Sequence, residues 1–154
     1  MRIALLGSVK ELRGDAAHHA RLWRGTVEPF SLEVLDGAGA VIDAIFGAGL
    51  ARPVEGAAAE MIESVKARKL PVCAIDVPSG LDGATGEIRG TAPQAEITVT
   101  FFRKKPGHVR QCWKISRPRP LKTAQSSGSR STRGLSQSRI NISVAMFWFL
   151  AAIS

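Results

Sequence analysis

Hydrophobic and polar positions follow two patterns along the first two thirds of the chain. Short, nearly continuous apolar runs occur at Arg2–Leu6, Val41–Phe46, Val72–Asp76 and Ile97–Phe102. Runs of this length predict strands that are covered on both faces, as in parallel sheets. The segment 57–68 instead carries apolar residues at helical spacing, with charged residues on the other side. The pattern therefore predicts a strand, a helix and a strand in succession.

This order of elements predicts the fold class. Parallel neighbours need a crossover connection, which a helix between two strands supplies. An earlier helix is expected from Asp15, as its cap, to about Trp23, with Gly25 ending it. We therefore expect an open α/β sheet with helices on both faces, formed by a single small domain.

Composition divides the chain at residue 108. All 13 acidic residues and 13 of the 21 Lys and Arg precede residue 109, so the first part is formally neutral. Residues 109–154 hold the other eight basic residues and nine of the 13 Ser. We expect a domain over 1–108 and a basic, Ser/Arg-rich, disordered tail over 109–154, with no packed core over 110–139.

The tail shows no sign of a specific partner. It lacks the aromatic interleaving of a nucleic-acid module, although a basic linker binds nucleic acid nonspecifically. The apolar stretch Ile140–Ile153 is shorter than the ~20 residues of a membrane-spanning helix, so we expect an adventitious hydrophobic end. No secretory signal is visible and two cysteines make no disulfide framework, so a cytoplasmic location is the default expectation.

Polar residues at the ends of the second and third strands mark a candidate site. Asp43 interrupts an apolar run, and a buried carboxylate needs a cation, backbone amides or a ligand, unless it merely caps a turn near the sheet end. Asp76 ends the next strand, and Ser79 follows three residues later. Carboxyl ends of strands are where open α/β sheets bind ligands. No His lies where it would activate Ser79, which argues against a serine hydrolase.

A glycine turn follows the strand that contains Asp43. Such a turn can offer free backbone N–H groups to a phosphate, and Arg52 could add a bidentate contact. It matches neither standard phosphate-binding loop, so an ordinary turn remains an alternative. The residues of this turn are Gly47, Ala48, Gly49, Leu50, Ala51, Arg52 and Pro53.

Three co-linear blocks resemble NAD(P)H-hydrate epimerase, the YjeF N-terminal domain family, over roughly residues 1–108. They are Val41-Ile-Asp-Ala-Ile-Phe-Gly-Ala-Gly-Leu-Ala-Arg-Pro53, Asp76-Val-Pro-Ser-Gly-Leu-Asp82 and Thr98-Val-Thr-Phe-Phe-Arg-Lys-Lys-Pro-Gly-His108. The resemblance implies a three-layer, Rossmann-like α/β fold with a mostly parallel sheet, incomplete here at both ends. It also implies a repair enzyme, an isomerase that interconverts the two epimers, at carbon 6 of the nicotinamide ring, of hydrated NADH or NADPH.

The resemblance assigns residues as well. Asp43 and Ser79 match ligands of a potassium ion, Gly47 through Pro53 match a substrate-binding turn, and Asp76 matches a substrate contact and is the catalytic candidate. The expected partners are the small-molecule substrate, a fused or separate ADP- or ATP-dependent dehydratase, and a second copy of the chain in a homodimer. Neither a specific nucleic acid nor a membrane is expected.

The chain also departs from the family's pattern. The family's first block, an Asn-Asn-Gly-Gly-Asp-Gly loop that supplies another potassium ligand and substrate contacts, is missing, and the likeness stops at His108. We therefore expect weak or no activity from this chain as it stands. The alternatives are a non-catalytic nucleotide-binding or scaffold module on the same fold, and an inactive gene fragment.

Overall fold

The structure, a computed structural model, describes residues 1–101, 103–109 and, as backbone alone, 142–146. The described residues contain the helices α1 and α2, a helical segment at 106–109 and six strands, and short 3₁₀ turns lie at Val9–Glu11 and Leu32–Leu35. In chain order the elements are β1 (Arg2–Leu5), α1 (Gly14–Leu22), β2 (Val27–Pro29), β3 (Ala40–Ala44), α2 (Gly56–Ala67), β4 (Val72–Ile75), β5 (Ile97–Val99) and β6 (Ile142–Met146). The expected strands and helices are present, with ends that differ by a few residues; α1 begins after Arg13, so Asp15 lies in its first turn and is not its cap.

The strands form one sheet in the order β2-β1-β6-β3-β4-β5. Every described strand pair is parallel. Val41 lies opposite Val72 and Asp43 opposite Ala74, so β3 and β4 are adjacent and are joined by α2. The predicted α/β class and the predicted βαβ unit are therefore confirmed.

The strand β6 differs from the sequence-based expectation for the end of the chain. Residues 142–146 were expected to belong to an adventitious hydrophobic end, and they instead pair with β1 on one side and β3 on the other. The physical reason is that a gap between two parallel strands leaves two rows of unpaired backbone groups, which a short β-branched segment satisfies. The rest of the tail beyond residue 109, including the segment 110–139, lies outside the described residues, and the domain boundary at residue 108 stays a prediction.

The helix α2 covers one face of the sheet. Met61 and Val65 of this helix pack against Ala4, Val41 and Val72. These three residues lie on β1, β3 and β4. All five side chains are almost fully buried. Because successive strand residues point to opposite faces, Asp43 shares the α2 face with Val41.

The opposite face of the sheet carries an open groove of about 840 Å³. Ala16, His19 and Ala20 of α1 line it from above, and Ile42 and Ile75 line it from the sheet. From β1 the chain continues through α1 to β2, towards one edge of the sheet. From β3 it continues through α2 to β4, towards the other edge, and the two helices lie on opposite faces. This reversal, between β1 and β3, is the topological switch point at which open α/β sheets bind ligands. The groove extends from there to Gly47, after β3, and to Asp76, after β4. No helix in the described part of the chain has the length and apolar composition that crossing a bilayer requires.

Candidate functional site

Asp43 and Ser79 form a buried polar pair at the carboxyl end of β3. The Ser79 hydroxyl donates to Asp43 Oδ1 at 2.6 Å, and the Ser79 amide donates to Asp43 Oδ2 at 2.8 Å. The amide of Ile45 also reaches Asp43 Oδ1, at 3.3 Å. Asp43 is only 4% exposed and Ser79 is fully buried. Two residues that are 36 positions apart in sequence are thus held in direct contact.

The environment of Asp43 disfavours the ionised form of its carboxyl group. Burial raises the pKa of Asp43, while the hydrogen bonds from Ser79 and Ile45 act in the opposite direction without cancelling it. All three donors are uncharged groups. A cation beside this carboxylate would therefore stabilise its ionised form.

The oxygens around Ser79 fit a hard cation such as potassium. Ser79 Oγ lies 2.6 Å from a carboxylate oxygen of Asp43 and 3.4 Å from the carbonyl oxygen of Phe46. Hydroxyl, carbonyl and carboxylate oxygens are the donors that hard cations prefer. No cluster of three or more His, Cys, Asp or Glu side chains suited to a metal occurs among the residues that the structure describes.

Asp76 lies in a tight turn directly after β4. Its φ is +70°, a left-handed value that side-chain-bearing residues seldom adopt, and the amide of Val77 donates to the carbonyl of Ile75 at 3.0 Å. This two-residue closure is that of a γ-turn, which is strained. The Asp76 amide donates to Val99 at 2.7 Å, so β5 fixes the turn. Backbone strain of this kind is concentrated at functional sites.

The Asp76 carboxylate stands at the edge of the groove and is shared by three partners. Oδ2 accepts from the Ala48 amide at 3.1 Å, and Oδ1 accepts from the Lys105 ammonium and, at 3.5 Å, from the Thr100 hydroxyl. Partial burial tends to raise the pKa of Asp76, but Lys105 and the Ala48 amide outweigh it and lower the pKa overall. Asp76 is therefore an anion at neutral pH.

The glycine turn connects the two acidic groups. The Phe46 amide donates to Ser79 Oγ at 2.8 Å, and two residues later the Ala48 amide donates to Asp76. A side chain at Gly47 would lie 3.2 Å from Asp76 Oδ2, so glycine gives the carboxylate room. Of the expected free amides, that of Ala48 is already engaged by Asp76. The exposed remainder of the turn includes Ala51, Arg52 and Pro53.

Residues 103–109 supply a part of the site that the sequence pattern did not identify. Lys105 and His108 of this segment contact Asp76, as does Thr100 just before it, although His108 lies 32 positions from Asp76 in sequence. These residues belong to the third sequence block, Thr98–His108, but only the folded chain places them at the end of β4. The block's Lys-Pro-Gly-His spacing is the one signal that could have drawn attention to them.

The fold defines an α/β domain of the Rossmann-like class, and two carboxylates and a groove lie at the carboxyl edge of its parallel sheet. Residues 2–107 match the family described as YjeF-related protein N-terminus. This is well over half of the chain, and the chain belongs to that family. The family resemblance noted from the three sequence blocks is thereby confirmed.

Curated relatives carry matching names. An NAD(P)H-hydrate epimerase of Limosilactobacillus fermentum is 51% identical over 76 residues, which are 49% of this chain and 36% of the relative. A bifunctional NAD(P)H-hydrate repair enzyme Nnr of Thermofilum pendens is 42% identical over 69 residues, 45% of this chain and 13% of the relative. The corresponding bifunctional enzyme of Mycobacterium tuberculosis strain H37Rv is 47% identical over 69 residues, 45% of this chain and 15% of the relative. The matched part of the chain thus spans about a third or less of the length of these relatives.

Proposed function

We propose that this domain interconverts the epimers of hydrated NADH or NADPH, with the nicotinamide end of the substrate in the groove beside Asp76. The observation that carries the proposal is an ionised carboxylate, held in a strained turn, at the carboxyl edge of a parallel sheet and in the lining of the groove. Its support from comparison is that the family match covers residues 2–107, which include this site, and that relatives named as epimerases match about half of the chain.

The chemistry asks for a negative group beside carbon 6. That carbon bonds to both the ring nitrogen and a hydroxyl, so inversion by loss and return of the hydroxyl passes through a flat, positively charged carbon–nitrogen unit. A fixed anion stabilises such a charge more strongly than it stabilises the neutral substrate, which is the condition for catalysis. Because its pKa is lowered, Asp76 keeps its negative charge at neutral pH and suits this role.

The turn from Gly47 to Pro53 is proposed to receive the phosphates. Its first residue, Gly47, lines the groove, its outer residues are exposed, and the guanidinium of Arg52 is suited to a bidentate phosphate contact. The amide of Ala48 is committed to Asp76, so its role is to hold the turn and the carboxylate together.

Potassium is proposed to bind at Asp43, Ser79 and the carbonyl of Phe46. The ion would supply a fixed positive charge that keeps Asp43 ionised and holds the Phe46 end of the glycine turn in place. The hydrogen bond from the Phe46 amide to Ser79 already links this position to the turn. The ion's role is therefore structural support of the substrate turn.

The proposed product is handed to a dehydratase that acts on one epimer, either as a separate protein or as a fused domain. Bifunctional repair enzymes among the relatives support this pairing. A cytoplasmic homodimer completes the proposal and is tested by light scattering of the purified chain.

Epimerisation by the 154-residue chain tests the proposed function. A single epimer of hydrated NADPH is incubated with the chain, and the approach to the mixture is followed by chromatography against buffer alone. We expect a rate above the buffer rate, even if low, and a loss of about 10²–10⁴-fold in Asp76→Asn, the usual range for a positioned acid–base group. Asp36→Asn removes an exposed acid elsewhere and is the matched control.

The outcomes separate the enzyme from a binding module. A chain that binds NADPH but leaves the epimer unchanged would instead be the non-catalytic module on the same fold. Equal rates for the parent and Asp76→Asn would show that this carboxylate takes no part in the reaction.

The potassium site is tested by thermal unfolding in KCl and in LiCl at equal ionic strength. Binding to the folded state alone stabilises it, by about 2.7 kcal/mol at one hundred times Kd. We expect the melting temperature to be higher in KCl for the parent and for Asp36→Asn, and equal in the two salts for Asp43→Asn. If the melting temperature of Asp43→Asn were still higher in KCl than in LiCl, the ion would bind at another site.

A further inference from the structure

Lys105 is held by its neighbours against the carboxylate of Asp76. Its ammonium contacts Asp76 Oδ1 and lies 3.2 Å from the hydroxyl of Thr100, which itself lies 3.5 Å from the same carboxylate oxygen. The side chains of Lys105 and Asp76 are 27% and 22% exposed, so both are partly withdrawn from water yet open on one side. Asp76 forms part of the groove lining, and the ammonium contacts this lining residue directly.

His108 fixes the backbone on both sides of this pair. Its Nδ1 accepts from the Lys105 amide at 2.9 Å, and its Nε2 lies 2.7 Å from the carbonyl oxygen of Asp76, where only an N–H can satisfy that oxygen. The partners therefore assign a neutral ring that accepts at Nδ1 and donates at Nε2. Lys105 and Asp76 are joined through one imidazole as well as through their own charges.

A second contact anchors this turn to the loop after Asp76. The Gly107 amide donates to the Gly83 carbonyl at 2.8 Å, and a side chain at Gly107 would come within 2.4 Å of the Asp82 carbonyl oxygen. A backbone held at two points, by His108 and by Gly107, keeps Lys105 in place. A surface lysine that pairs by chance has no such support.

The proposed reaction needs a proton that Asp76 does not carry. When the bond from carbon 6 to its hydroxyl breaks, the ring nitrogen's lone pair forms the carbon–nitrogen double bond and the oxygen must take up one proton to leave as water. Water then adds to the opposite face and gives up one proton. An anionic Asp76 cannot supply the first proton, whereas an ammonium has three N–H donors.

On the basis of the proposed function, we propose that Lys105 is the proton donor of the epimerisation and Asp76 its negatively charged partner. Lys105 gives its proton to the departing hydroxyl; the water that adds to the opposite face releases its proton to solvent, and the neutral amine regains one proton from solvent. Asp76 stabilises the positive ring between these two steps. His108 is a positioning residue, since it acts only through Lys105 and Asp76.

Arginine in place of lysine separates proton donation from charge pairing. Lys105→Arg keeps a cation for Asp76, but a guanidinium does not give up its proton in proteins. We expect Lys105→Arg and Lys105→Met each to lose about 10²–10⁴-fold in epimerisation rate, while NADPH binds with a Kd within about threefold of the parent value by calorimetry. Lys104→Met, which removes the exposed neighbouring lysine, is the matched control and should keep the parent rate.

Added amines provide a readout that a purely structural role would not produce. Ethylammonium should partly restore the rate of Lys105→Ala, where the shortened side chain leaves room for it, and should not restore Lys105→Arg. An active parent together with a Lys105→Arg rate near the parent rate would overturn the assignment of Lys105 alone, and so would a lack of amine rescue with normal binding. A parent that never exceeds the buffer rate would overturn the proposed function itself.

Discussion

At the scale of single residues, acidic side chains at this sheet edge have opposite electrostatic environments. Asp43 is surrounded by uncharged donors, and burial raises its pKa. Asp82 lies only a few residues beyond Ser79, but its carboxylate accepts from the amides of Ala84 and Thr85 at 2.8 and 2.9 Å and pairs with Arg89. The Thr85 amide, then Arg89 and the Ala84 amide, lower the pKa of Asp82 to about 2. A cation would therefore stabilise the ionised form of Asp43, whereas the carboxylate of Asp82 is already stabilised by Arg89 and two backbone amides.

The lowered pKa of Asp82 predicts how stability depends on pH. A carboxyl whose pKa falls from about 3.9 when unfolded to about 2 when folded stabilises the fold fully above pH ~4. That contribution is lost as the pH falls through the folded value, because the unfolded chain binds the proton first. We expect the urea midpoint of Asp82→Asn to fall less than that of the parent between pH 4.5 and 2.5.

The matched control for this experiment is Asp15→Asn, which removes an exposed acid in the first turn of α1. It should retain the parent's acid sensitivity. Parallel curves for the parent and Asp82→Asn would mean that the contacts of Asp82 contribute nothing to the folded state's proton affinity.

At the scale of secondary-structure elements, α2 determines where the ends of β3 and β4 lie. Its buried stripe is Ala58, Met61, Ile62 and Val65, which the sequence places at helical spacing. The same helix contacts both core clusters, one around Val41 and one around Ile45. Since Asp43 lies between these two residues on β3, the packing of α2 positions the candidate ion site.

Shortening the largest side chain of this stripe should weaken the whole domain. Met61 is 2% exposed, and Met61→Ala is expected to lower the free energy of unfolding by about 2–5 kcal/mol through lost burial and the cavity left behind. Met61→Leu keeps the volume and should cost less than about 1.5 kcal/mol. Urea denaturation measures both, and equal losses would mean that the core around Met61 is loosely packed.

At the scale of the whole molecule, β6 makes the sheet continuous. Ser143 lies opposite both Arg2 and Val41, and Val144 lies opposite both Ile3 and Ile42. Without this strand, β1 and β3 would each present an unpaired edge in the middle of the fold. The groove spans residues from both sides of β6, from Ile3 to Ile42 and beyond, so its shape depends on this closure.

The prediction at this scale concerns the backbone of β6. Val144→Pro removes an N–H from a central strand, a position that proline does not tolerate. We expect loss of the cooperative unfolding transition or a large drop in melting temperature, whereas Val144→Thr, which keeps the N–H and the β-branched shape, should retain a cooperative transition. Circular dichroism during heating distinguishes these results. A Val144→Pro variant as stable as the parent would show that the sheet does not need this strand.

The sequence by itself determined the local elements and the chemical groups of the site. Apolar runs and helical spacing depend on neighbouring residues alone, so β3, α2 and β4 and their parallel order were predictable, as was the position of Asp43 and Asp76 at strand ends. The strand β2 was missed because three residues ending in proline carry too little pattern, and β6 because its basic, Ser-rich context obscured it.

Only the tertiary structure decided which groups meet. Contact between Asp43 and Ser79, or between Asp76 and Lys105, joins positions 36 and 29 residues apart, and the intervening chain sets no such distance by itself. The placement of β6 between β1 and β3 likewise depends on unpaired backbone groups that exist only once the other strands are assembled. Short-range periodicity is written in the sequence, whereas pairings across the sheet arise from satisfying buried backbone and charged groups together.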